Sequence, residues 1–208
     1  MSEKADKLNE ETRLLAAMAY GEASAQDVPE EMSALASVIV RQRNARGYQD
    51  LMNFTKNEKS FSFVVADGNV RYKRLMKASE AEIAKDPGMT AAVAAATNAL
   101  AGGKDLSNGA YFWDGADIKS NYKNHFKVGQ GIHFGDNAHN IYAINESTVL
   151  VIKKKITIRK KHGKVISETE VEVGRYDHVY ISTAAYGGTI FWKFNPEYVR
   201  LSHAKEFK

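Results

Sequence analysis

Leu14-Leu15-Ala16-Ala17-Met18-Ala19-Tyr20-Gly21-Glu22-Ala23-Ser24 is the stretch on which the reading of this chain turns. Leu14, Leu15, Met18 and Ala19 recur at helical spacing and mark one buried stripe. Gly21 is a helix stop signal. Glu22 is therefore expected where a helix meets a loop, on or near the face packed against the domain. Desolvation there disfavours the charged carboxylate, so the acid is expected to hold a proton near neutral pH. A protonated carboxylic acid beside a cleft is what cleavage of a glycosidic bond requires. The plainer alternative is an ordinary Glu on the last turn of a helix.

Working outward, a first helix is expected over residues 10 to 21. A second covers 30 to 45, with Ala34, Leu35, Val38 and Ile39 as its core stripe and Gly47 as its stop. Residues 48 to 68 read as loop and short helix, with Asp67-Gly68 as a turn. Residues 70 to 85 read as a charged surface helix broken by Asp86-Pro87-Gly88. Thr90 to Ala101 is an Ala-rich scaffold helix closed by Gly102-Gly103. From Asn108 to Tyr142 the helical period fades, and Tyr111, Phe112, Trp113, Asp114, Asn121, Tyr122, Asn124, His125, His133 and Phe134 gather there. Aromatic planes with Asn, Asp and His tips suit sugar rings, which offer apolar faces and many hydroxyls. The same aromatics can instead close a core beneath a long loop.

After Ser147 the period alternates. Thr148 to Lys160 and Val165 to Val173 are expected to pair antiparallel about a His162-Gly163 turn. The register that follows sets Lys155 opposite Glu170, Lys153 opposite Glu172 and Thr157 opposite Glu168. Ile152, Ile156, Ile158, Val171 and Val173 then fall mainly on the other, buried surface, and Lys153-Lys154-Lys155 needs no nucleic-acid partner. Residues 178 to 183 and 188 to 194 add two more strands around Gly187-Gly188, with Trp192 as an anchor of the sheet. The fold class is α+β: a helical region over 1–146 and a small antiparallel β region over 147–208 packed on it, the two forming separate or integrated units.

Tyr20-Gly21-Glu22-Ala23, a polar loop with Pro29, and Glu31 to Arg43 with its Ala/Val-rich helix together resemble the cell-wall hydrolase family typified by the spore cortex-lytic enzymes. Lys59-Ser60-Phe61-Ser62-Phe63, Gly109-Ala110-Tyr111-Phe112-Trp113 and Gly131-Ile132-His133-Phe134 resemble further blocks of that family, in its order, over about residues 14 to 144. The resemblance implies a lysozyme-like helical lobe, with Glu22 as the catalytic Glu and Glu31 as the second acidic position. Arg43 matches the helix-end Arg. Ser60, Tyr111, Trp113 and His133 in these blocks, with Asp114 and Tyr122 of the aromatic segment, are the expected sugar contacts. Ser60 replaces the family's Gln, the spacing between blocks is longer, with an added helical segment near 69 to 86, and residues after about 147 have no counterpart. The chain is similar as well to lysozyme-like toxin domains at the ends of type VI secretion effectors, which act on peptidoglycan. That similarity implies an antibacterial role and an immunity or secretion-apparatus protein as partner.

The chain has 208 residues, net charge +4 and pI near 9.0, so an anionic partner is favoured. Zero cysteines exclude disulfides and thiolate metal sites. Met1 to Glu11 lacks the apolar core of a signal peptide, and no run reaches the length of a membrane span. Export by a secretion apparatus, or excision from a larger protein, would reconcile this with action at the wall. No Gly-x-Ser-x-Gly, phosphate loop or HExxH is present. Glu22 is the candidate acid; Glu31, Asp27 and Asp114 are candidates for a second carboxylate at about 5 to 9.5 Å. Without one, a lytic transglycosylase is implied, in which Glu22 serves as acid and then base. No cofactor or metal is expected, and nucleic acid is not an expected partner. Two alternatives remain: a non-catalytic wall- or nucleic-acid-binding module, and a zinc-dependent wall amidase in which His125, His133 and His139 meet.

Overall fold

The computed structural model describes residues 8–66 and 68–208; Asp67 of the expected Asp67-Gly68 turn and the side chains of Ser62 and Phe63 lie outside the described residues. Helix α1 (Glu10–Glu22) starts at Asn9, whose side chain accepts the Thr12 amide, and carries Glu10 and Glu11 in its first turn. Beyond the expected stripe, Ala16, Ala17 and Tyr20 are buried too. A helix buried nearly all round is a central one. Helix α2 (Pro29–Ala45), α3 (Leu51–Asn57), α4 (Lys59–Ala66), α5 (Val70–Lys77) and α7 (Pro87–Leu100) pack around α1. The charged segment expected as one helix over 70 to 85 is two, α5 and α6 (Glu80–Lys85). Ser79 separates them and forms a capping box with Glu82.

The class is α+β, but the sheet is mixed, not purely antiparallel. Strand β1 (Phe112–Asp114) and β2 (Ile132–His133) come from the segment expected as a long loop, which also holds α8 (Asp117–Ser120) and α9 (Phe126–Gln130). They join β5 (Tyr180–Tyr186) and β6 (Thr189–Phe194) in the order β1-β6-β5-β2, with β2 parallel to β5. The sheet thus draws strands from both sides of residue 146. Strand alternation sends its two faces to two cores. Phe191 joins the helices around Leu15, Met18 and Leu35, whereas Ile190 and Trp192 pack with Ile118, Val128 and Phe134. Trp192 is fully buried, in keeping with the anchoring role read from the sequence.

Strands β3 (Val151–Lys161) and β4 (Lys164–Tyr176) form a separate antiparallel hairpin about His162-Gly163, both at positive φ as a two-residue hairpin turn requires. Its central register is one residue away from the expected one. Ile156 stands opposite Glu170, Ile158 opposite Glu168 and Lys155 opposite Val171, with irregularities at Lys153/Lys154 and Arg159/Lys160. Next to the turn Lys160 and Lys161 keep the expected register; the irregularity at Arg159/Lys160 shifts the central pairs by one residue, and the one at Lys153/Lys154 shifts the base by another, each inserting a residue that the alternation of the sequence does not reveal. Neither face is buried: Ile152, Ile156, Ile158, Val171 and Val173 are all exposed. Only the base is anchored, where α10 (Pro196–Ser202) packs on β4 and Tyr176 meets Tyr198 edge to face.

Candidate active site

Glu22 closes α1 at the point where α5 begins. The last-turn carbonyls of a helix lack intrahelical partners. Here the Tyr20 carbonyl accepts Arg71 Nε at 2.7 Å and the Gly21 carbonyl accepts Asn69 Nδ2 at 2.9 Å. Arg71 also stacks 3.9 Å above the Tyr20 ring. The start of α5, in the segment near 69 to 86, is therefore the clamp on the end of α1. Glu22 is half-buried, and its Oε2 accepts the indole N–H of Trp113 at 3.2 Å. The Trp113 ring stands edge-on to Phe61, 5.8 Å between centroids, and Phe61 packs on Phe54 at 4.6 Å. A carboxyl held against an aromatic wall results.

Glu31 is fully buried in the first turn of α2. Its Oε2 accepts Ser24 N at 3.1 Å and Ser24 Oγ at 2.6 Å; its Oε1 accepts Gly188 N at 3.0 Å and Thr189 Oγ1 at 2.7 Å. Four donors saturate the carboxylate. It ties the loop after Glu22 to the turn between β5 and β6. That turn needs glycine: Gly187 has φ +56°, and a Cβ there would lie 2.3 Å from Glu31 Oε2. Tyr142 donates to the Gly188 carbonyl, and burial, aided by the Glu31 charge, pushes its phenol up from 10.0.

The other candidate carboxylates have separate engagements. Asp27, at φ +53°, bonds Arg71 at 2.6 Å. Asp114 follows Trp113 on β1, so its side chain points to the opposite face. There its Oδ1 accepts Lys127 Nζ at 2.7 Å and lies 3.4 Å from His125 Nε2, while its Oδ2 is buried with no hydrogen-bond partner among the described residues. The sheet thus places Asp114 away from Glu22 and not beside it.

Of the six expected sugar contacts, Trp113 bonds Glu22, and the others have different partners or surroundings. Ser60 is exposed on α4. Tyr111 packs under Arg41, 5.6 Å from ring to guanidinium, and reaches Glu206 at 3.4 Å. Tyr122 donates to the Asn145 carbonyl at 3.0 Å. His133 bonds Glu146 at 2.9 Å and faces the His178 ring. Burial pushes Glu146 up, but the Phe134 amide and His133 outweigh it and hold the acid below 4.5. Arg43, the expected helix-end Arg, pairs with Glu11 at 2.6 Å. Ser24, Asn69, Arg71 and Thr189 were given no role by sequence alone; the Gly187-Gly188 dipeptide was the one signal pointing to their neighbourhood.

The three histidines that the zinc-amidase alternative would bring together have different partners: His139 bonds Ser182 Oγ at 2.9 Å, His133 bonds Glu146, and His125 stands between Asp114 and Asp117. Among the described residues, Asp114, Asp117 and His125 form the one group of metal-competent donors lying within 4.8 Å of each other. The Lys127 ammonium is already bonded to Asp114 there. A protonated His125 with Lys127 balances the two carboxylates. The Asp114 bond, opposed by burial and by Lys127, raises the His125 pKa above 6.5.

No protein-family model, no curated protein and no solved structure matches the chain.

Two outcomes are expected. Gly187→Ala should cost about 2–4 kcal/mol in equilibrium urea unfolding, through strain at positive φ and displacement of the Glu31 carboxylate. For His125 the folded pKa lies above the unfolded one, so its stabilisation is complete below 6.5 and fades as pH rises through the folded value. The stability gap between wild type and His125→Gln should thus be larger at about pH 5.5 than at about pH 8. A gap that widens with pH would contradict the assignment.

Proposed function

We propose that this chain cleaves the glycan strand of peptidoglycan between N-acetylmuramic acid and N-acetylglucosamine, with Glu22 as the general acid. The observation that carries the reading is the Glu22 carboxyl at the end of the central helix, bonded to the indole N–H of Trp113, whose ring stands edge-on to Phe61. The resemblance of the surrounding blocks to wall hydrolases supplies the substrate class.

An indole N–H can only donate, so Glu22 Oε2 accepts it, and the Trp113 bond orients the carboxyl that delivers the proton. Transfer to the glycosidic oxygen releases the leaving sugar as an oxocarbenium-like centre develops. The second step depends on what attacks. Glu31 is saturated by four hydrogen bonds, Asp27 is paired with Arg71, and Asp114 is bonded to Lys127 on the other face of β1. This distribution supports a single-carboxylate mechanism. Glu22, once deprotonated, takes the proton of the attacking hydroxyl, which in a lytic transglycosylase is the sugar's own 6-hydroxyl. Glu31 is then a positioning residue that holds Ser24, two residues beyond the acid. The net positive charge gathers the protein on an anionic wall, so activity falls as salt rises.

Mass spectrometry of digested sacculi tests the reading. The expected products carry 1,6-anhydro ends. Reducing muropeptides would keep the enzyme class but require a second carboxylate, and cut peptide stems would refute the proposal. Glu22→Gln keeps the shape of the side chain and is expected to lower turnover by roughly two to four orders of magnitude. Near wild-type turnover in that variant would remove Glu22 from the chemistry.

A further inference from the structure

The hairpin register sorts its charges by face. Directly opposed residues of an antiparallel pair share a face, and faces alternate along each strand. Lys155 shares one face with Val171, Thr157 with Thr169, Arg159 with Ser167 and Lys161 with Lys164. The other face holds Lys154 with Glu172, Ile156 with Glu170 and Ile158 with Glu168. All three glutamates of β4 therefore lie on the second face, where Lys154 bonds Glu170 at 2.7 Å. The first face carries Lys153, Lys155, Arg159, Lys161 and Lys164, with the hydroxyls of Thr157, Ser167 and Thr169 between them, and no carboxylate. From Lys154 to Val173 every residue is exposed. In the register expected from sequence, Lys153 and Lys155 would have been neutralised by Glu172 and Glu170; in the observed one they are not.

Alternate residues on a strand recur every ~7 Å, so β3 offers cations at Lys153, Lys155, Arg159 and Lys161 in steps of that repeat, with the Thr157 hydroxyl at the one intervening position, a spacing suited to an extended polymer with one charge per unit. The exposed part of the face has no aromatic ring, and so lacks the stacking platforms that single-stranded nucleic acid uses. Val171 is the one large apolar side chain among its paired exposed residues, with Ile166 and Val173 unpaired at the bulges, a scatter without the continuous apolar face that a lipid interface takes. What remains is charge and hydroxyl recognition along a line. We infer that this face binds a linear, base-free polyanion of the poly(polyol phosphate) class. The inference is independent of what Glu22 does.

The test is calorimetric titration of the full chain with synthetic poly(glycerol phosphate), with a DNA duplex and phosphatidylglycerol vesicles as comparators. Two double variants remove the same charge from opposite faces: Lys155→Gln with Arg159→Gln, and Lys154→Gln with Lys160→Gln. The first should weaken binding on the order of tenfold, the second by no more than about twofold, as expected for lost or retained exposed ion contacts. Thr157→Lys, which adds a cation to the row without disturbing a buried group, should tighten it. Glu22→Gln should bind as wild type does. Equal losses in both double variants, no binding of the polymer, or tighter binding to the duplex or the vesicles would each overturn the inference.

Discussion

Glu31 holds a carboxylate that is wholly out of water, and a buried charge is tolerated only when its hydrogen bonds are made. The four donors come from two distant places, Ser24 after the central helix and Gly188 with Thr189 in the turn of the sheet. Satisfying one side chain therefore fixes the helical region against the sheet. The turn can approach only because position 187 has no Cβ. Tyr142 closes the same turn from its other side through the Gly188 carbonyl. Loss of any one donor would leave a lone pair of a buried anion unmet, so these contacts stand or fall together.

The same arrangement separates the acids by task. Glu31 links, Asp27 pairs with Arg71, and Asp114 balances Lys127 and His125 on the far face of β1. Glu22 is the acid placed against an aromatic wall, and the backbone before it is gripped by Asn69 and Arg71. Carbonyls at a helix end that are met by side chains fray less than those left to solvent. The α5 segment thus gives the candidate acid a fixed address.

Elements with strong local signals were readable in the chain. The apolar run of Leu14 to Ala19 gave α1, and His162-Gly163 gave the hairpin turn, because helical period and turn chemistry are local. Trp192 was placed correctly as a sheet anchor by its neighbours in β6. Register was not readable: one bulge moved the central pairs of the hairpin by one residue and a second moved the base by another, enough to bring Lys155 and Lys153 out from opposite glutamates. The place of Asp114 was hidden for a related reason. Once Phe112–Asp114 is a strand rather than loop, adjacent side chains part to opposite faces, Trp113 toward Glu22 and Asp114 toward Lys127. The partners of Glu31 were beyond reach because Gly188 and Thr189 lie more than 150 residues away.

The central claim is that Glu31 carries the fold while Glu22 is dispensable to it. Equilibrium urea unfolding of Glu31→Gln and Glu22→Gln side by side tests this most directly. An amide at position 31 must turn a donor toward donors. The account predicts a loss of about 3 kcal/mol for Glu31→Gln and less than about 0.5 kcal/mol for Glu22→Gln. A Glu31→Gln protein as stable as wild type, or a Glu22→Gln protein that loses as much, would contradict it.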